Sequence, residues 1–342
     1  MVPVKYSPAM NLAEVAKRAK VSTATVSRVL NDVGPVKKST RARVLRAAEE
    51  LRYHPNLHAR NLAGGKSRTV GMIVSNMENP FFVDVYKGAE HDARAKGYDL
   101  VLANTDYNPE TLASNIRLMI GRRVAGLALV ISEMDPRLIQ ELSELNIPVV
   151  FYDVGSPKHN FSNIVVNYAK GIERVVNYLL ELGHRRMVFI SHHRTLGPLS
   201  VREHAFRETV QNYSASIEWK IAASVDGLDG GRLAAREILA SGFEPTAMIC
   251  VNDLMAIGVL HELREAGLRV PQDVSVTGFD NIRLAEVSYP PLTTLHIPRE
   301  RIGQLMLQDL IEPVLMPEAC GRRLVLDPEF VLRGSTGPAR KP

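Results

Sequence analysis

The chain is poor in cysteine and tryptophan, with two of the first and one of the second in 342 residues. Cys250 and Cys320 both stand in apolar surroundings, so buried free thiols are expected rather than a disulfide or a metal site. A reducing, cytoplasmic setting fits. No apolar run approaches the roughly 20 residues a membrane span needs, and no membrane partner is expected. Met1-Val2-Pro3-Val4-Lys5-Tyr6 lacks the apolar core of an export signal. A nucleophile elbow, a phosphate-binding glycine loop and a metal-ligand spacing are missing too, so catalysis, a cofactor and a metal are not expected. What is there is ordinary globular material, 45% hydrophobic and 23% charged, and long enough for two or three domains.

The net charge of +5 hides an asymmetry. Residues 1–68 hold 14 Lys and Arg against 4 Asp and Glu, about +10, which leaves about −5 on the rest. A basic head on a mildly acidic body points to a polyanion partner for the head alone. A solvated basic tail would explain the charge equally well if the head had no apolar pattern.

It has one. Asn11 can cap a helix from Leu12 to Ala19, with Leu12, Val15, Ala16 and Ala19 on one face and Glu14 placed as in a capping box. Lys20-Val21-Ser22 is a turn. In the next segment Val26, Val29 and Leu30 form one apolar stripe, and Ser22 can cap. The opposite face carries Thr23, Ala24, Ser27 and Arg28. Alone, this is equally a plain surface helix. Helix, tight turn, helix is also the layout whose second helix reads the DNA major groove. Hydroxyls suit phosphates, and an arginine can pair with a guanine edge. A third helix spans 39–51, with Val44, Ala47, Ala48 and Leu51 inward. Lys37, Lys38 and Arg41 crowd its start, where cations oppose the helix dipole. A phosphate backbone beside them would remove that conflict. After Tyr53-His54-Pro55-Asn56, residues 57–65 read as a helix too short to stand alone.

These residues carry a resemblance. The string Val15-Ala16, Val21-Ser22, Thr25-Val26-Ser27-Arg28-Val29-Leu30-Asn31, Thr40-Arg41, Tyr53-x-Pro55-Asn56 and Ala59-Arg60-x-Leu62 resembles the head and hinge of the lactose/galactose repressor (LacI) family of bacterial transcription regulators. The resemblance implies that Thr23, Ala24 and Arg28 face base edges and that Ser22, Thr25, Ser27 and Asn31 touch phosphates. It implies that Leu62 is pushed into the minor groove where two hinge helices meet, unstacking a base step. Asn56, Ala59 and Arg60 of the hinge join the DNA-binding set. A core leucine is the plain alternative for Leu62.

From Arg68 onward, apolar strand runs alternate with helical segments. Residues 69–74, 97–104, 124–131, 147–152, 186–190, 247–251 and 274–277 read as strands. Residues 82–96, 109–121, 136–145, 169–182, 200–213, 230–241 and 253–266 read as helices. The fold class is therefore an all-α helix-turn-helix head with a hinge, joined to an α/β body of two doubly wound parallel-sheet lobes. Asn79-Pro80-Phe81-Phe82, Gly183-His184-Arg185, Arg202-x-x-x-Phe206, Asn252-Asp253-x-x-Ala256-x-Gly258, Gly278-Phe279-Asp280-Asn281 and Pro290-x-Leu292-Thr293-Thr294 resemble the periplasmic-binding-protein-like core of the same family. The expected domains are a head at 1–54, a hinge and linker at 55–68 and a body at 69–338. By the resemblance, one lobe takes about 69–165 and 297–324, and the other about 166–296 and 325–338.

Open α/β lobes bind ligands beyond the carboxyl ends of their strands. Strand ends supply Ser75, Asn76, Asn104, Asp153, Asn252 and Asp280. Family positions add Phe81, Phe82, Arg202 and Asp226. Asp153, Arg202, Asn252 and Asp280 are expected to form a polar set for vicinal hydroxyls, with Phe81 or Phe82 offering an apolar face to a ring. A sugar or sugar derivative is the expected small-molecule effector. Each residue has a plainer alternative. An Asp after a strand often caps a helix, Arg202 could pair with Glu203 or Glu208 on the surface, and Phe81 and Phe82 could be core. Relatives that bind purines carry a ligand arginine where Leu196 stands and a stacking phenylalanine where Asp226 stands, which argues against a nucleobase. His192-His193-Arg194 reads as a loop near the cleft mouth, suited to an anionic group more than to a metal.

The leading expectation is a repressor that binds a pseudo-palindromic operator in double-stranded DNA as a homodimer, under control of a carbohydrate-like ligand. Two others stand beside it. The body alone would suit a solute-binding protein of a sugar transporter, and Asp153 with Asp280 could serve an enzyme as an acid–base pair.

Overall fold

A computed structural model describes residues 12–30, 34–53, 67–134, 136–144, 147–154, 160–193, 198–213, 217–315 and 321–340. The expectations placed on Asn11, Asn31, Asn56, Ala59, Arg60, Leu62, Arg194, Leu196 and Cys320 fall outside them. The chain divides into two compact units, 1–67 and 68–342.

In the first unit three helices, Leu12–Ala19, Thr23–Leu30 and Lys38–Glu50, close around a small aliphatic core. Val15, Val26 and Val44 are fully buried, with Val29, Ala19 and Ala47 around them. Small side chains let the helices approach closely, and Lys20 takes the left-handed φ of 53° that the tight turn requires. Ser22 caps the second helix: Oγ accepts from the Thr25 amide at 3.2 Å and lies 2.9 Å from the Thr25 hydroxyl. Arg18 and Glu50 tie the first helix to the third.

The second unit holds two parallel sheets. The first is ordered β11-β5-β4-β3-β1-β2, from β1 (Thr69–Val74), β2 (Asp99–Asn104), β3 (Leu127–Val130), β4 (Val149–Tyr152), β5 (Phe161–Val166) and β11 (Arg323–Leu326). The second is ordered β7-β6-β8-β9, from β6 (Arg186–His192), β7 (Glu218–Ser224), β8 (Ala247–Cys250) and β9 (Ser275–Thr277). Val70, Met72 and Val74 of β1 pack into one core while Ile73 packs into another on the opposite face. Helices cover both faces, so these strands read as unbroken apolar runs. Cys250 is buried and free.

A short antiparallel pair, β10 (Thr294–His296) with β12 (Glu329–Val331), lies outside both sheets. Between these strands the chain returns to the first sheet through helix Arg299–Leu315 and β11. Helix Arg299–Leu315 meets helix Pro80–Ala95 at two glycines. A Cβ on Gly88 would stand 2.0 Å from the Glu300 carbonyl oxygen, and one on Gly303 would stand 1.9 Å from that of Val85. Only glycine permits so close a crossing.

Several elements differ from expectation. Strands β5, β7 and β11 and helix Arg299–Leu315 are absent from the sequence reading. Strand β5 buries Ser162 and Asn163 among its apolar residues, β7 lies at a sheet edge with Glu218 and Lys220 exposed, and the edge strand β11 is only four residues long, so none shows a long apolar run. Helix Pro80–Ala95 starts two residues before the expected 82. Asn79 caps it, Pro80 fills its first turn, and Phe81 joins Phe82 in the helix. Strand β6 runs two residues past the expected 190 and takes in His192.

Candidate functional site

Two surfaces bear on function, one in each unit. On the second helix of the head, Thr23, Ala24 and Arg28 are exposed, Ser22 is exposed at the cap, and Thr25 and Ser27 are half-buried. Burying Val26 and Val29 turns this face outward. Lys37 and Lys38 are exposed where the third helix begins, and Arg41 is half-buried one turn later. That helix has no side-chain cap, so its amides and its cations together form a positive end. The expected DNA-facing residues that lie within the described part are therefore exposed or half-buried on a basic unit.

The second site follows from strand order. In the first sheet the chain reverses direction of growth at β1 and β3, and in the second at β6 and β8. Such switch points leave a crevice beyond the carboxyl ends of the strands. A cavity with an open mouth lies there, enclosing about 420 Å³. Phe81, Phe82, Arg202, Asn252 and Asp280 of the expected set line it. Tyr107, Tyr152 and Ser132 line it as well and were not anticipated.

Arg202 is the pivot, 5% exposed rather than paired with Glu203 or Glu208 at the surface. Glu203 instead takes Arg207 and Ser191. The Arg202 guanidinium lies 4.4 Å from the ring centres of both Tyr168 and Phe279. It donates to the Val251 carbonyl at 2.6 Å and to the Tyr168 hydroxyl at 3.2 Å. Two flat faces and two acceptors hold it in one orientation. Asp280 stands 3.8 Å from it, too far for a hydrogen bond, and its Oδ1 is buried with no hydrogen-bond partner among the described residues. Burial raises the Asp280 carboxyl to about 7 against the pull of Arg202 and Arg299.

Asp153 does not line the cavity. It accepts from the Val166 amide at 2.7 Å and from the Tyr168 hydroxyl, so it reaches Arg202 only through that tyrosine. Burial raises it to about 6, with Tyr168, the Val166 amide and Arg202 holding it down. Ser75 does not line the cavity either. Its hydroxyl donates to Glu133 at 2.6 Å, and Thr105 donates to the other oxygen of that buried carboxylate. Asp226 sits where the two sheets face each other. It accepts from Asn76 at 3.3 Å and from the Tyr107 hydroxyl at 2.7 Å, both after strands of the first sheet, and from Asn252 at 2.7 Å in the second. Asn252 also caps helix Asp253–Glu265 through the Met255 amide, so capping and cleft roles coexist. His192 is not in a loop: it ends β6 with its ring 5.5 Å from that of Tyr107.

Tyr107, Asp153 and Asp280 all have left-handed backbones, at φ 57°, 56° and 106°. Positive φ in a bulky tyrosine is uncommon and directs its side chain across the crevice. Tyr107 lies three residues beyond Asn104, the last residue of β2. The polar Thr105-Asp106-Tyr107 just beyond it was the available signal.

Family models match at both ends of the chain: bacterial regulatory proteins of the lacI family over residues 11–56, and a periplasmic binding protein-like domain over 176–336. The HTH-type transcriptional repressor PurR of Vibrio vulnificus is 34% identical over 325 residues, covering 94% of this chain and 97% of that one. PurR of Vibrio campbellii is 35% identical, covering 95% and 98%. The Lac repressor dimer bound to operator and the anti-inducer ONPF superposes with a TM-score of 0.84 at 26% identity, covering 96% of this chain and all of that one. A complex of the transcriptional regulator CelR with cellobiose superposes at 0.71 and 29%, covering 95% and 99%. Likeness over nearly its whole length makes the chain a member of the lacI family of bacterial regulatory proteins, a DNA-binding transcriptional repressor and not an enzyme.

Proposed function

We propose that this repressor binds a pseudo-palindromic operator as a homodimer in the cytoplasm and that a carbohydrate-class ligand in the interlobe cleft sets its affinity for DNA. One observation carries the ligand class: Arg202, Asn252 and Asp280 converge on a cavity whose other wall is Phe81 and Phe82. Fixed polar groups opposite an apolar face suit a ring bearing hydroxyls. The CelR complex with cellobiose supports this reading. The operator-bound Lac repressor dimer supports the homodimer.

On the DNA side, Thr23, Ala24 and Arg28 read bases, and Ser22, Thr25, Ser27, Lys37, Lys38 and Arg41 hold phosphates. Ligand-driven closure of the cleft changes how two copies present their hinges around Leu62, and the coupling need be only a few kcal/mol to switch occupancy.

The test is a gel shift of the full chain on a palindromic operator with a panel of sugars. A shift that some sugar abolishes or creates is expected, and insensitivity to Leu62→Ala would sink the hinge step. No change with any sugar would sink the carbohydrate reading.

A further inference from the structure

Among the described residues, the carboxylates at and around the cleft outnumber the cations that meet them. Arg202 is its one lining cation among the described residues. Asp280 lines the cleft, and Asp153, Asp226, Asp253 and Glu133 stand behind its lining. Of these carboxylates only Asp280 has a cation within 4 Å among the described residues, and that contact, at 3.8 Å, is not a hydrogen bond. Asp253 is held by the Ile282 amide and the Thr294 hydroxyl, both neutral. Glu133 is held by Ser75, Thr105 and the Ser132 amide, and Asp226 by Asn76, Tyr107 and Asn252. Arg299 approaches, but it donates to the Asp280 backbone carbonyl and its charge is met by Asp84 at 3.1 Å.

Neutral donors satisfy oxygen lone pairs without cancelling charge, and a partly desolvated anion keeps attracting a cation. Burial raises the carboxyls of both Asp280 and Asp153, and at Asp280 the charge of Asp226 adds to the rise. Asp280 Oδ1 is the open position: it is buried, lacks a hydrogen bond and belongs to a cavity-lining residue. Asp226 does not itself line the cavity, but it is bonded to two residues that do, Asn252 and Tyr107, and so sets a second carboxylate directly behind the lining.

We infer that the effector carries a protonated amine, an amino-substituted sugar rather than a phosphorylated or carboxylated one, with the ammonium held by Asp280 Oδ1 and by Asp226, which exchanges its tyrosine donor for the ligand. This rests on the carbohydrate reading above and sharpens it. An ammonium has three donors, enough to bridge two carboxylates. A ligand hydroxyl at Asp226 would only replace the hydroxyl of Tyr107, a near-even exchange. An anionic ligand would add to the repulsion.

The experiment is titration calorimetry, with thermal-shift screening, on the full-length repressor. The probes are hexosamines with the amine at different carbons, their N-acetyl forms, the parent hexoses, hexose 6-phosphates and hexuronic acids. At least one hexosamine should bind about tenfold or more tightly than its N-acetyl form, since charge-assisted hydrogen bonds are roughly twice as strong as neutral ones. Phosphates and uronates should not bind. Acetylation is compared on the unaltered protein, so that result needs no variant. In Asp226→Asn the hexosamine preference should shrink toward parity. If neutral or anionic sugars bind as tightly as hexosamines, the amine is wrong and the carbohydrate reading stands. If no sugar binds, both fall.

Discussion

The two units of this chain solve the same problem, presenting polar groups to a ligand, in opposite ways. In the head, the proposed reading face lies within one eight-residue helix, and a core of valines and alanines sets its orientation. Every group needed is close in sequence. In the body, the cavity-lining residues come from the ends of strands, from the loops after them and from the N-terminal parts of helices, as far apart in sequence as Asn79 and Asp280. The head's exposed hydroxyls and cations keep their solvation until DNA arrives. The cleft has already stripped solvent from Asp280 and Arg202. A surface helix can therefore be re-aimed by single exposed substitutions at little cost to the fold, whereas each cleft side chain is bound up with the others.

The harshest way to break this contrast is Val26→Asp. An unpaired charge in the small head core should cost at least about 3 kcal/mol and abolish operator binding. Calorimetric unfolding should then lose the head's transition while the body still responds to ligand. If the ligand response vanished as well, the two units would not be independent. Next is Arg202→Lys, which keeps the charge but forfeits the planar stacking and the pair of hydrogen bonds. Ligand affinity should fall by roughly 2–3 kcal/mol, with operator binding retained in the absence of ligand. In the head, Arg28→Ala should cost about 1–3 kcal/mol on the best operator and relax preference at one base pair, read by binding to operator variants.

In the body, stability also depends on acidity. Asp280 and Asp153 bind protons more tightly folded than unfolded, since burial raises them to about 7 and about 6. Over roughly pH 4 to 7 the folded body thus holds more protons, and these groups lose stability as pH rises through that window. The slope contributed by one such proton is at most about 1.4 kcal/mol per pH unit, and Asp280→Asn should flatten it in denaturant titrations. The finest test is Tyr107→Phe. It removes one of three donors from Asp226, worth about 1 kcal/mol, and amide exchange in residues 104–108 should quicken in the unliganded protein.

The head was legible because its information is local. Helix periodicity placed Val15, Val26 and Val44 inward, and the cap at Ser22 followed from residue type. The alternation of strands and helices was legible in the body for the same reason, as was the list of strand-end residues from which Asn252 and Asp280 came. Edge strands β7 and β11 were not, because a strand paired on one side only has no need of an apolar run. Nor was the division of labour within the cleft. Ser75 and Asp153 sit at strand ends as expected, yet one serves the buried Glu133 and the other a tyrosine. Tyr107 enters the site through a backbone conformation that its residue type disfavours.

By itself the sequence determined the helix-turn-helix pattern, the basic head and the two-lobed α/β body, since periodicity and charge act between residues a turn or a strand apart. Only the tertiary structure decided which carboxylates share the cleft, that Arg202 is wedged between two aromatic rings, and that Asp226 joins donors from both sheets. Those outcomes depend on desolvation and on distances between residues from tens to more than a hundred positions apart, and neither quantity is written in local sequence.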